Sequence, residues 1–365
     1  MSDQLLLSTR KGLFDYRRIG GHWTHQAVHF LGDNVSYTLI DRRDGSWYAA
    51  LNLGHFGCKL HRSTDQGASW KEVAVPAYGA DDRVSTGDGK QSQPATLKLL
   101  WTLAAGSDDQ PGRLWAGTIP GGLFRSDDYG QSWHLVRSLW ERPERERWFG
   151  GGYDWPGIHS ICIDPRDSSV LRVAVSCGGV WRGDDDGQTW TLTARGMRAA
   201  YMPPQMSSDE AIQDPHCLVQ CAASPDDLWV QHHNGVFRSR NGGESWQEFD
   251  MPPSAFGFAV AVHPNDPQIA WFVPAVKDER RVPVDGQLCV TRTRDGGASF
   301  EQLRNGLPQR DAYDLIYRHA LAIDAQGNCL AFASTTGNFW FSADQGDHWE
   351  QINGHLPPVA AVCFA

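Results

Sequence analysis

The amino-acid sequence predicts an all-β protein, a seven-bladed β-propeller whose ring is closed by its own C-terminal strand. Three observations predict it. One octapeptide with the look of a hairpin turn occurs six times. The aromatic residue that ends it recurs at near-constant spacing. An apolar run at the C-terminus supplies the strand that the first repeat lacks.

The octapeptides are STDQGASW (Ser63–Trp70), SDDYGQSW (Ser126–Trp133), GDDDGQTW (Gly183–Trp190), SRNGGESW (Ser239–Trp246), TRDGGASF (Thr293–Phe300) and SADQGDHW (Ser342–Trp349). Each reads S/T-x-D/N-x-G-x-S/T-aromatic with a few substitutions. The chemistry explains the order. An Asp or Asn side chain accepts hydrogen bonds from turn amides, and the glycine takes a positive φ without a Cβ clash. The aromatic then opens the next strand and wedges between sheets.

From Trp70 to Trp133, Trp190, Trp246, Phe300 and Trp349 the closing aromatics stand 63, 57, 56, 54 and 49 residues apart, one four-stranded blade each. A degenerate copy opens the chain with Leu5–Lys11, Gly12–Arg18 and His22-Trp23. The predicted blades cover residues 5–30 with 359–365, 35–78, 98–138, 158–194, 216–250, 257–303 and 318–353, so that residues 1–365 form one propeller. In the fourth blade the strands are expected at His159–Asp164, Leu171–Ser176, Val180–Gly183 and Thr189–Ala194. The first blade lacks an inner strand. Val359–Ala365 is expected to supply it and leave no long unpaired edge.

Composition agrees and excludes some functions. Sixteen tryptophans suit stacked sheets, and 38 glycines with 20 prolines suit many turns. A net charge of -10 argues against a nucleic-acid partner, since the phosphate backbone calls for a basic face. No apolar run approaches the roughly 18 residues of a membrane helix, so no membrane partner is expected. The first residues, Met1-Ser2-Asp3-Gln4-Leu5, lack the basic and apolar regions of a signal peptide. Cys162, Cys217, Cys221 and Cys363 lie in apolar runs as buried thiols would, and a cytoplasmic location is expected.

Within a blade the chain alternates direction, so the blade-to-blade links share a face with the turns between second and third strands. The long irregular segments, 78–98, 138–158, 194–215, 277–285 and 304–318, all fall on that face, the expected functional surface. Aligning blades by their second strands puts Ser36, Trp101, His159, His216, Phe258 and His319, with a residue near Pro358, in one ring at the channel mouth. His55 and His233 lie in second-to-third-strand turns beside it. His159, His216 and His319 are therefore the candidate catalytic residues and the candidate ligands of a divalent metal such as zinc, because imidazole is both a common ligand and a tunable proton shuttle. The competing reading is that these imidazoles cap strand ends. For ligand binding the candidates are His55, His233, Arg10, Lys11, and Tyr153 with Trp155 in the glycine-rich Gly150–Gly157. Arg280 and Arg281 are a second basic pair. The run Glu141–Arg147 reads as an exposed loop of mixed charge.

The six turns resemble the Asp-box, or BNR, repeat. Together with His159–Asp167, Gly257–Pro267, Val273-Pro274-Ala275, Thr293–Gly297 and Ser334–Gly337, they make the chain similar to a bacterial family of BNR/WD40-like propellers often labelled sialidase or glycosyl hydrolase. That resemblance implies a propeller fold and a carbohydrate or other small polar ligand. A true sialidase carries an arginine triad and a Phe/Tyr-Arg-Ile-Pro motif near its start. Here the nearest counterpart is Ser8-Thr9-Arg10-Lys11-Gly12, without the Ile-Pro, so no triad residue is carried over. Three readings stay open: a metal-assisted hydrolase or lyase using the His-rich pocket, a glycosidase using two of Asp33, Asp154, Asp209, Glu210, Asp214, Asp311 and Asp314, and a non-catalytic scaffold for a protein partner.

Overall fold

The computed structural model describes residues 3–85 and 92–365. Their strands form seven four-stranded antiparallel sheets, the blades of a seven-bladed β-propeller, and one two-stranded ribbon. Blade two runs Val35–Asp41, Ser46–Asn52, Cys58–Ser63 and Lys71–Val73. Blade three runs Leu99–Ala105, Leu114–Ile119, Leu123–Ser126 and His134–Leu135. Blade four runs Ile158–Asp164, Asp167–Val175, Gly179–Gly183 and Thr191–Leu192; against the expected strands the second begins four residues earlier and the outer one is much shorter. Blades five, six and seven begin at Pro215, Gly257 and Leu321.

Blade one is closed as the sequence expects. Val359–Phe364 pairs antiparallel with Gln4–Thr9, matching Leu5 with Phe364, Leu7 with Val362 and Thr9 with Val359. Gly12–Ile19 and His22–His29 complete that sheet. The strand is apolar because both its faces are covered. Val359, Val362 and Phe364 join a core with Leu5, Leu7, Trp340 and Phe332.

The chain divides into two compact units, Met1–Thr38 with Val219–Gly242 and Gln247–Ala365, and Leu39–Leu218 with Gly243–Trp246. In the second unit Trp115, Trp181 and Trp190 form one core with Leu171, Val173 and Ile158. Among the described residues no helix is long and apolar enough to cross a membrane. The eight cysteines are all free thiols.

The repeated turns use their residues alike. Ser63 Oγ donates to Asp65 Oδ1 at 2.7 Å and accepts the Gly67 amide at 2.8 Å, while the Ser69 amide and hydroxyl donate to the two Asp65 oxygens. Asp128 and Asp295 repeat the pattern, and Asp344 repeats it without the second hydroxyl, since His348 stands in that place. Two consecutive residues are left-handed in each turn, not only the glycine. Gln66 has φ 55° before Gly67 at 87°, and blades five and six place glycine at both positions.

Candidate functional site

Two links of the second unit carry secondary structure of their own and pack against each other. The link after blade two carries Tyr78, whose hydroxyl meets Thr118 Oγ1 and donates to the Pro120 carbonyl, both at 2.6 Å. Burial raises its pKa, keeping it a neutral donor. Asp82 follows, 3% exposed, accepting the Gly79 amide at 2.6 Å and pairing with Arg137. These contacts hold the ribbon Arg83–Ser85 with Ser92–Pro94, which the sequence reading missed.

The link after blade three contains Glu141–Arg147, the run read from sequence as an exposed loop. It holds a helical turn, Arg137–Trp140, and a 3-10 helix, Pro143–Arg147. Arg145 turns inward there. Its guanidinium lies 3.8 Å from the Trp140 ring centroid and donates to the Trp140 carbonyl. Burial lowers its pKa from the ordinary arginine value, against the opposing pull of Tyr78, Asp82 and Glu146. Trp148 meets Trp181 edge-on at 5.8 Å. Between the two links lies a shallow, open cleft with a cavity volume of only about 30 Å³, lined by Val84, Ser85, Pro120, Gly121, Arg145, Glu146, Trp148 and Pro156. Of these, Pro156 falls in the glycine-rich segment singled out from sequence and Arg145 and Glu146 in the run read as an exposed loop, but none was named there as a site residue. The signal available was Trp140 and Trp148 flanking the charged run, since tryptophans rarely bracket a solvated loop.

Tyr153 and Trp155, both singled out, take different places. Tyr153 is 52% exposed and meets Trp101 edge-on at 5.3 Å. Trp155 is half-buried against Val84, Ala95 and Trp140 on one side and Leu99, Trp101 and Ile119 on the other. The neighbouring glycines have steric reasons: a Cβ on Gly150 would sit 1.8 Å from the Tyr153 carbonyl oxygen, and one on Gly157 would strike Trp101.

The histidines of this unit also divide. His159 is fully buried, with Nε2 2.7 Å from the Pro215 carbonyl and Nδ1 2.9 Å from Ser160 Oγ. The carbonyl requires a proton on Nε2, so neutral His159 accepts at Nδ1, and both nitrogens are engaged. His216 is 1% exposed and places Nε2 3.4 Å from Asp214 Oδ2. The other Asp214 oxygen accepts the Cys177 amide at 3.1 Å and the Ser176 hydroxyl at 3.4 Å. Tyr201 stands close enough that burial and then the Asp214 charge raise its pKa. His55 is exposed on a short 3-10 turn, its ring 3.9 Å from that of Phe56.

In the first unit His319 meets Tyr37 edge-on at 4.9 Å, and its carbonyl accepts the Val362 amide at 2.8 Å. His233 lies edge-on to Phe256 at 5.7 Å. Arg281 and Arg318 both stand over Phe258, at 5.2 and 5.3 Å, with Arg281 paired to Asp278. Arg10 and Lys11 are exposed on the turn joining Gln4–Thr9 to Gly12–Ile19, and Thr9 Oγ1 accepts the Lys11 amide.

No family profile and no curated protein matches the chain. Solved structures match its fold. A GH74 xyloglucanase from Xanthomonas campestris shares 18% identity at a TM-score of 0.64, over 97% of this chain and 53% of that one. An ancestral GH74 enzyme shares 17% at 0.61, over 87% of this chain and 38% of that one. The present chain therefore spans about half or less of those proteins. YCF48 from Cyanidioschyzon merolae shares 13% at 0.55, over 94% of this chain and 90% of that one. At such identities the likeness establishes the propeller fold alone.

Proposed function

We propose that this chain binds a small polar ligand of the carbohydrate class in the cleft between the links 78–98 and 138–158. One observation carries the reading: apolar Pro120, Pro156 and Trp148 line the cleft together with Arg145, Glu146 and Ser85. A sugar offers an apolar C–H face and a rim of hydroxyls, and this lining offers a partner for each. The GH74 names of two structural neighbours accord with it.

Turnover of that ligand, by a hydrolase or a lyase, is the finer reading. Glu146 is the carboxylate among the described lining residues. Glycoside hydrolysis through two carboxylates needs a second at about 5–9.5 Å, for which Asp154 in the adjoining link is the first to test. Of the histidines read from sequence, His216 enters as the proposed acid/base residue, because Asp214 orients it.

Titration of intrinsic tryptophan fluorescence with neutral and acidic oligosaccharides tests binding. Saturable binding by wild type, weakened about tenfold or more by Trp148→Ala and by Glu146→Gln, is expected. No binding across the panel would sink the reading. It would leave the scaffold alternative.

A further inference from the structure

Phe258 stands at the start of blade six's first strand, Gly257–His263, where aligning the blades puts the channel mouth. Its ring is buried at 3% exposure, and three polar side chains from two other segments converge on it. Arg281 comes from the turn between that blade's second and third strands, and its guanidinium lies 5.2 Å from the ring centroid. Arg318 comes from the link to blade seven and lies 5.3 Å from the same centroid. Tyr317 beside it meets the ring edge-on at 5.9 Å.

Both segments are held by their backbones. In the turn, the Val276 amide donates to the Val282 carbonyl at 2.9 Å and the Arg280 amide to that of Lys277 at 3.0 Å. In the link, the Ala320 amide closes a turn onto the Tyr317 carbonyl at 2.9 Å, and the next carbonyl but one, that of His319, accepts the Val362 amide. Two cations fixed over one ring repel each other, and attraction to a single uncharged ring offsets only part of that cost.

Arg281 is only partly used. Its Nε donates to the Asp278 carbonyl and carboxylate at 3.1 and 3.0 Å, and its Nη2 donates to the same carboxylate. Nη1 has no hydrogen-bond partner among the described residues, and the side chain is 36% exposed. Asp278 thus fixes the guanidinium plane and leaves its outer edge as a fork of donors, which suits a carboxylate or phosphate. The Tyr317 hydroxyl likewise has no partner among the described residues. In a chain of net charge -10, Lys277–Arg281 carries three cations against two acids, and a local positive field of this kind concentrates anions.

We infer that Arg281 and Arg318 bind a small anionic ligand through its carboxylate or phosphate group, with the Tyr317 hydroxyl as a third donor. The site is separate from the cleft lined by Trp148 and does not rest on carbohydrate binding there.

The experiment is calorimetric titration of the full chain at constant ionic strength with inorganic phosphate, with glutarate, and with glutaramide, the uncharged counterpart of glutarate. One saturable site for phosphate, glutarate or both is expected, and none for glutaramide. Phosphate alone would assign a phosphate ester, glutarate alone a carboxylic acid, and both a site open to either. Arg281→Gln and Arg318→Gln should each weaken binding about tenfold or more, and Tyr317→Phe about fivefold. Arg280→Gln, on the exposed part of the turn, should bind like wild type, as should Trp148→Ala in the cleft. If Arg318→Gln does not fold, Arg281→Gln decides alone. No saturable binding of either anion up to about 20 mM would overturn the inference. So would glutaramide binding as tightly as glutarate, or Arg280→Gln weakening the anions as much as Arg281→Gln.

Discussion

Asp65 shows how one residue type serves structure so fully that little is left for chemistry. Both its oxygens are taken by Ser63 and Ser69, and those hydrogen bonds hold its pKa at about 2. Asp185 and Asp295 are lowered likewise, chiefly by the hydroxyls of Thr189 and Ser299. A carboxylate whose folded pKa lies below the ordinary value near 3.9 stabilises the fold above about pH 4, and the contribution fades as pH falls towards 2. Tm should therefore decline between about pH 4.5 and 2.5, and Asp65→Asn should flatten the decline. An unchanged profile would assign acid sensitivity to other groups. At neutral pH, Asp128→Ala should cost about 1 kcal/mol of stability in denaturant unfolding and leave ligand affinity unchanged. The turn residues were legible in the sequence because their bonds are local, within four positions. Arg145 and Trp148 were not. Their partners Trp140 and Trp181 are set by how the links fold back, which no period in the sequence encodes.

At the scale of the element, strands were readable where burial leaves a pattern and obscure where it does not. Leu171–Val175 is buried throughout and was legible, whereas the less buried Asp167–Val170 that begins the same strand was missed. The outer strand Thr191–Leu192 is half exposed and pairs over two residues, so its apolar signal is faint. The ribbon in link 78–98 carries almost no apolar pattern, since Arg83, Ser85, Ser92, Gln93 and Pro94 are exposed and only Val84 is buried. The C-terminal strand was legible for a different reason, a vacancy in the first repeat that only one apolar run could fill. Its pairing with Gln4–Thr9 and its burial beside Leu5 and Trp340 make it indispensable to that sheet. Deleting Val359–Ala365 should lower Tm by more than 10 °C, on the order of the loss of several buried side chains, or leave the protein insoluble through its unpaired edge. Deletion with wild-type melting would show that the first blade closes without it.

For the molecule as a whole, the repeated turns join blades as well as strands. In three of the turns the preceding blade supplies a donor to the carbonyl of the left-handed residue before the glycine. Tyr48 of blade two reaches the Tyr129 carbonyl. Arg238 of blade five reaches the Gly296 carbonyl. In blade six, Trp271 Nε1 and Arg292 both donate to the Gln345 carbonyl of blade seven, at 2.8 and 2.7 Å. The closing tryptophans bind the opposite way, Trp133 donating to the Ala74 carbonyl and Trp246 to that of Thr193. A propeller fastened in this way should lose blades together, because each turn is both a hairpin and its neighbour's anchor. Arg292 gives the sharpest test. Its side chain is 3% exposed and also pairs with Asp347 and Glu301, which remain about half exposed. Arg292→Ala leaves the Gln345 carbonyl short of a donor and should cost about 2 kcal/mol, towards the low end for a buried ion because water screens its partners. Asp347→Ala alone should cost less than about 1 kcal/mol. The double variant should fall short of the sum by about 0.5 kcal/mol or more in a double-mutant cycle, because the two residues share one anchor. Strict additivity would mean that the arginine acts within blade six alone. A separate low-temperature transition for blade seven in either variant would mean that the blades unfold independently.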